Sequence, residues 1–261
     1  MVLPKGLKAF IQQTAPGKLT RGKFKGYRAV DAQGAFEGNT LKGITKLLAS
    51  KLYSAGDLDE RATSATEWTP GAWQGNHGGL RRGKAVDSQV SRLAGASSAA
   101  RSKASKFKFT NLAFSALNTA GLEPVVGQRV TLSRQHGIAT AADVICYDAT
   151  NNAIVVVELK CGFSGNRTLA ATAKRVAQKL NSPCSGASDC VLHRHLAQLT
   201  VTRHLFATES RLASQLKKRF DITEIRGSLL YVCDRDTQLH TLTAWWQKRG
   251  KALVQTLGSD E

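Results

Sequence analysis

Acidic side chains are scarce in this chain. Its 261 residues hold 19 Asp and Glu against 37 Lys and Arg, a formal net charge of +18. Residues 1–30 carry Lys5, Lys8, Lys18, Arg21, Lys23, Lys25 and Arg28 without one carboxylate. Such an excess repels itself and is usually retained because a polyanion neutralises it; nucleic acid is the first candidate, an anionic membrane or acidic protein the alternatives. Long apolar runs are missing too, and none approaches the ~20 residues that a membrane span needs. No segment pairs a Lys/Arg face with a bulky apolar face, which lowers the membrane option further. No apolar run follows the start as in a secretory signal. The five cysteines (Cys146, Cys161, Cys184, Cys190 and Cys233) are odd in number, which argues against a disulfide framework. Both features lead us to expect a reduced, intracellular protein. The full phosphate-binding pattern Gly-x-x-x-x-Gly-Lys-Ser/Thr, the nucleophile elbow Gly-x-Ser-x-Gly and internal repeats are all absent from the sequence.

What is present centres on Gly137–Lys160, GIATAADVICYDATNNAIVVVELK. Ala142–Ala149 is β-rich, Thr150-Asn151-Asn152 has turn chemistry, and Ala153–Leu159 carries an unbroken Ile-Val-Val-Val run, so the segment predicts a β-hairpin. Asp143 interrupts the first strand; Glu158 and Lys160 interrupt the second and share a face, because strand side chains alternate. A tight turn sets Asp143 opposite residue 158 or 160, with opposed Cβ atoms roughly 5 Å apart. Charges on an apolar strand are costly unless paired or bound to a metal, and two adjacent carboxylates repel. A hard divalent cation removes that conflict, and a neighbouring lysine can orient water and stabilise charge growing on a phosphate. The alternatives are an edge strand with solvated charges, or a simple Asp–Lys pair.

Asp143-x14-Glu158-Leu159-Lys160 on adjacent strands resembles the bipartite motif of the PD-(D/E)xK nuclease superfamily, most closely its RecB-like, lambda-exonuclease-like and herpesvirus alkaline nuclease branches. The likeness spans about residues 78–235. The family's proline before the aspartate is replaced here by Ala142. The resemblance implies an α/β, restriction-endonuclease-like core of order αβββαβ, a mixed central sheet flanked by helices. It implies a Mg²⁺-dependent DNA nuclease, with Mn²⁺ able to substitute, whose metal ligands are Asp143, Glu158 and the Leu159 backbone carbonyl, and whose catalytic lysine is Lys160. Exonuclease-like action is the expected form; a junction-resolving endonuclease, or a DNA-binding or structural protein on the same fold, is the alternative. Either single- or double-stranded DNA is an expected partner. By the same resemblance Asp87, on a helix expected over Gly83–Ala94, matches an acidic residue that projects toward the metal, although the family usually has Glu; a solvated aspartate is the other reading. Gln198 matches half of a Gln-x-x-x-Tyr motif, since Thr202 stands in the tyrosine position; a glutamine at the core edge is the other reading.

The remaining segments are assigned from pattern. Residues 1–38, basic and dotted with Gly and Pro, read as a loosely ordered arm tracking phosphates, with residues 39–261 as the nuclease domain. Asn39–Tyr53, Phe109–Ala120, Leu169–Leu180, Val191–Phe206 and Ser210–Phe220 have helical spacing; Val125–Leu132, Gly227–Asp234 and Leu239–Leu242 read as strands. Ala96–Lys108 reads as a basic loop or frayed helix. Arg81, Arg82, Arg101, Lys103, Arg167, Lys174 and Arg175 are the candidate DNA contacts. Trp68 and Trp73 fit packing better than base stacking. Cys184-x5-Cys190-x2-His193-x-His195 matches no standard zinc spacing.

Overall fold

A run as uniformly apolar as Ala153–Val157 has to be covered on both faces, and this requirement sets the architecture. The computed structural model describes residues 3–20, 26–30, 35–54, 78–105, 107–162, 178–209, 211–233 and 236–259. The chain begins with helix α1 (Leu7–Gln13) and strands β1 (Gly17–Thr20), β2 (Gly26–Val30) and β3 (Phe36–Gly43). Helices α2 (Ile44–Lys51), α3 (Gly78–Leu93), α4 (Ser98–Ala104) and α5 (Lys108–Thr119) precede strands β4 (Leu122–Ser133), β5 (Ile138–Asp148) and β6 (Ala153–Cys161). Helices α6 (Val191–Ala207) and α7 (Leu212–Phe220), strands β7 (Glu224–Val232) and β8 (Thr237–Thr241), and helices α8 (Ala244–Gln247) and α9 (Gly250–Gly258) complete it. The result is an α/β architecture built on one mixed sheet.

β6 pairs antiparallel with β5 and parallel with β7, and its first seven residues are buried. On one face Ile154 and Val156 meet Leu196 and Leu199 of α6. On the other, Val155 and Val157 meet Val86 and Val90 of α3 and Phe109 and Ala113 of α5. The expected hairpin is therefore present, with Asp148 Oδ1 accepting from the amides of Thr150 and Asn151 (3.0 and 3.1 Å) to shape the turn. The pairing runs from Asp148↔Ala153 to Val144↔Val157. Continued by one residue, it sets Asp143 opposite Glu158.

β5 is where the sheet divides. β4 lines one edge of β5 throughout its length. The other edge carries β3 at Ile138–Ala139 and β6 at Val144–Asp148. Between them, residues 140–143 have no strand partner on that edge among the described residues. Asp143 stands at this fork.

Several assignments change. The helix expected from Asn39 begins at Ile44, because residues up to Gly43 are drawn into β3, pairing with β2 and β5. The loose arm is replaced over its described part by ordered structure: Leu7, Phe10 and Ile11 of α1 are buried in the main core. β1 then passes so close to β4 that a Cβ on Gly17 would lie 2.7 Å from Leu132 Cδ2. Apolar burial has overridden the Gly/Pro and charge pattern here. Ala96–Lys108 contains α4, started by Ser97 Oγ accepting from Ala100 N at 3.2 Å. Of the helix expected over Leu169–Leu180, residues 169–177 lie outside the described residues, as do Trp68 and Trp73; Lys179 pairs with Ser188 in an isolated bridge. Among the described residues no helix is long and apolar enough to cross a membrane, and the five cysteines are free.

Arg129 of β4 ties the first helix to this core. Its guanidinium donates to the Ile11 and Thr14 carbonyls (2.9 and 3.1 Å) and to both oxygens of Glu209 (2.6 and 2.7 Å), all under cover. Removing residues 1–14 strips those carbonyls from a buried charge and takes away three large buried apolar side chains, whose burial is worth about 1.5–3 kcal/mol each. That sum rivals the about 5–15 kcal/mol that holds a typical domain together. A chain beginning at Ala15 should thus lose its cooperative thermal transition in circular dichroism. If it melts like the full chain, the segment is an arm after all.

Candidate functional site

The hairpin delivers Asp143, Glu158 and Lys160 to one place. Asp143 Oδ2 accepts from the Leu159 amide at 2.8 Å, locking the carboxylate across the strand pair. Lys160 Nζ donates to Glu158 Oε1 at 2.9 Å and to Gln198 Oε1 at 3.1 Å. Gln198 Nε2 donates back to Glu158 Oε1 at 2.6 Å. Gln198 thus belongs to the site, held there by α6, whose apolar side chains pack on β6. Glu158 is 2% exposed, and its second oxygen is buried without a hydrogen-bond partner among the described residues. A buried carboxylate oxygen left this way is costly unless something positive meets it.

Asp87 arrives from the opposite face of the sheet, on α3. What places it is Gly127: a Cβ there would stand 2.3 Å from the Cα of Ser91, so the helix lies directly on the strand. Asp87 is one turn before Ser91 and shares its helix face. The next strand residue, Gln128, has φ +49°, and its Nε2 donates to Asp87 Oδ1 and Oδ2 (2.8 and 2.9 Å) and to Asp143 Oδ1 (3.3 Å). Gln128 was not evident from the sequence. One available signal was the glycine before Gln128 within a strand, which suggests a close approach or a bulge.

Burial pushes the Asp87 carboxyl up to about 6, helped by Glu158 and opposed by the Gln128 amide and Lys160. Burial, then the Glu158 and Asp87 charges, push Asp143 well above the ordinary carboxylate range. Tyr27 of β2, half-buried, closes the fork: its ring lies over Gly43 and its hydroxyl bonds the Ala141 backbone. Burial and then the Asp143 and Glu158 charges raise its phenol above the usual value. It too was missed, since it fell in the supposed arm. On β7, Tyr231 lies opposite Lys160 in register and shares a 2.8 Å hydrogen bond with His195 Nδ1. Burial, then Lys160 and Arg194, hold His195 well below the usual imidazole range.

Among the described residues, no three His, Cys, Asp or Glu side chains are grouped closely enough to hold a metal ion by themselves. The carboxylates are spanned instead by a Gln128 amide and a Lys160 ammonium. The oxygen donors and the orphaned Glu158 oxygen still suit a hard cation by chemistry.

The expected DNA contacts fare unevenly. Arg82 is fully buried with its guanidinium 5.1 Å from the centroid of the Phe109 ring, so it is a core residue and not a surface contact. Arg101 is also buried, paired with Glu123 at 2.7 Å and over the Phe114 ring. In both cases a flat guanidinium covers an aromatic face that would otherwise be wet. Lys103 is exposed. The side chain of Arg81, and Arg167, Lys174 and Arg175 entirely, lie outside the described residues.

Asp87 gives a pH test. Its folded pKa, about 6, lies above the unfolded value, so the folded state holds the proton more tightly. The associated stability is complete below the ordinary carboxylate range and is lost as pH rises through about 6. Asp87→Asn removes the charged form, and should raise thermal stability by about 1–2 kcal/mol at pH ~8 after allowance for partial exposure, with no gain at pH ~4. Melts at the two pH values check this; equal shifts at both would show that no desolvation penalty is involved.

Neither family models nor curated proteins nor solved structures give a match to this chain.

Proposed function

We propose that this chain is a Mg²⁺-dependent deoxyribonuclease with a restriction-endonuclease-like core. The observation that carries the proposal is the buried Glu158 oxygen with no hydrogen-bond partner among the described residues, set beside Asp143 and Lys160 at the end of an apolar strand pair. With α4, α5 and α7 set aside as additions, the order α3-β4-β5-β6-α6-β7 supports it, being the αβββαβ order that the resemblance implies.

In this reading Asp143, Glu158 and the Leu159 carbonyl would hold Mg²⁺ or Mn²⁺, with Asp87 alongside. When bound, the cation supplies positive charge for the scissile phosphate and lowers the pKa of water. The chain's own groups do the rest. Lys160, held by Glu158 and Gln198, presents a fixed ammonium that orients the attacking water and stabilises charge growing on the phosphate. Asp143 is fixed by the Leu159 amide, so the acidic cluster is preorganised before substrate arrives. The net charge of +18 draws the polyanion, with Lys103 an exposed contact.

Plasmid and linear DNA incubated with Mg²⁺ or with EDTA test the proposal. Cleavage should require the cation. Asp143→Asn and Glu158→Gln should reduce cleavage to background while DNA binding persists. Lys160→Ala should lower the rate by about 10²–10³-fold. Absence of Mg²⁺-dependent cleavage, or a near wild-type rate in any of the three variants, sinks the assignment.

A further inference from the structure

We infer that Gln128 is a resident stand-in for the cation: its amide holds Asp87 and Asp143 together in the metal-free protein and yields when a divalent cation enters. The inference rests on reading this site as a divalent-cation site. An amide nitrogen has two hydrogens. Gln128 Nε2 directs them at three carboxylate oxygens, two on Asp87 and one on Asp143, at 2.8, 2.9 and 3.3 Å. It thus occupies the position between two like charges where a cation would relieve the repulsion best. Being neutral, it satisfies the oxygens without cancelling their charge.

The backbone is bent to put it there. At φ +49° Gln128 lies in the left-handed region, which favours glycine and is costly for a side chain of this kind. Neighbouring β4 residues Val125, Val126 and Val130 are ordinary buried apolar residues. Packing alone would have been served by another of them. The contact of Gly127 with Ser91 brings α3 against the strand, and the left-handed turn at Gln128 then aims the amide at Asp87 one helical turn away. Gln128 is in this sense a positioning residue whose contacts are with the acidic groups themselves.

This role has a signed consequence. An amide that competes with the cation lowers the apparent metal affinity, whereas an amide that merely shapes the site raises it. Gln128→Met keeps the length and removes the donor; Gln128→Gly removes the donor and the left-handed strain together, so at least one should fold. Titration of each protein with Mn²⁺ at pH ~8, following free Mn²⁺ by electron paramagnetic resonance, gives the affinities. Both variants should bind Mn²⁺ about ten- to a hundredfold more tightly than wild type, the worth of one hydrogen bond to a charged group. Asp143→Asn should abolish the same binding, which locates it at this site. Unchanged or weaker binding in the Gln128 variants, with wild type binding and Asp143→Asn not, overturns the inference and leaves the nuclease reading standing. If wild type binds no Mn²⁺, the cation reading and this inference fall together.

Discussion

Burying two like charges at the end of an apolar strand pair is the constraint on which the rest of the molecule turns. Asp143 and Glu158 occupy strands whose other buried positions are mostly Val, Ile, Ala, Leu and Cys. Each carboxylate therefore has to be met by a group brought from elsewhere. The Leu159 amide and the Gln128 side chain meet Asp143, and Lys160 and Gln198 meet one oxygen of Glu158. The other Glu158 oxygen has no such partner among the described residues. That oxygen is the one the proposed cation would meet.

The sheet's fork makes this possible. Because β3 and β6 occupy different stretches of one edge of β5, the segment holding Asp143 is reached from several directions at once. α3 brings Asp87 from one face, α6 brings Gln198 from the other, and β2 brings Tyr27 over the gap. The N-terminal segment is accordingly part of the site's wall, anchored by the buried Arg129–Glu209 pair.

Charge in this protein has two separate uses. The excess of basic residues suits a polyanionic partner, yet several arginines are structural. Arg82, Arg101, Arg129 and Arg194 are all buried, lying over Phe109, Phe114, Phe206 and Tyr53 respectively. Arginine suits that place because its guanidinium is flat, weakly hydrated and able to grip a carboxylate with two bonds. Net charge alone therefore overstates the binding surface.

The local pattern determined a good deal. A β-branched run beside a turn dipeptide specifies a hairpin, and strand alternation then places Glu158 with Lys160 and faces them toward Asp143; these are short-range consequences of backbone geometry. Helical spacing likewise predicted α6 within a residue of its bounds. Tertiary structure alone decided which helix faces reach the site. Gln128 matters because Gly127 admits α3 at contact distance, a fact about two segments some 36 residues apart (91 to 127) that no local window contains. Tyr27 matters because β3 pairs with β5, and Leu7, Phe10 and Ile11 are buried because a partner surface exists for them. Whether Arg82 faces solvent or an aromatic ring depends likewise on where α5 lies. Side-chain direction along one element follows from its own sequence; what that direction meets is a property of the packed chain.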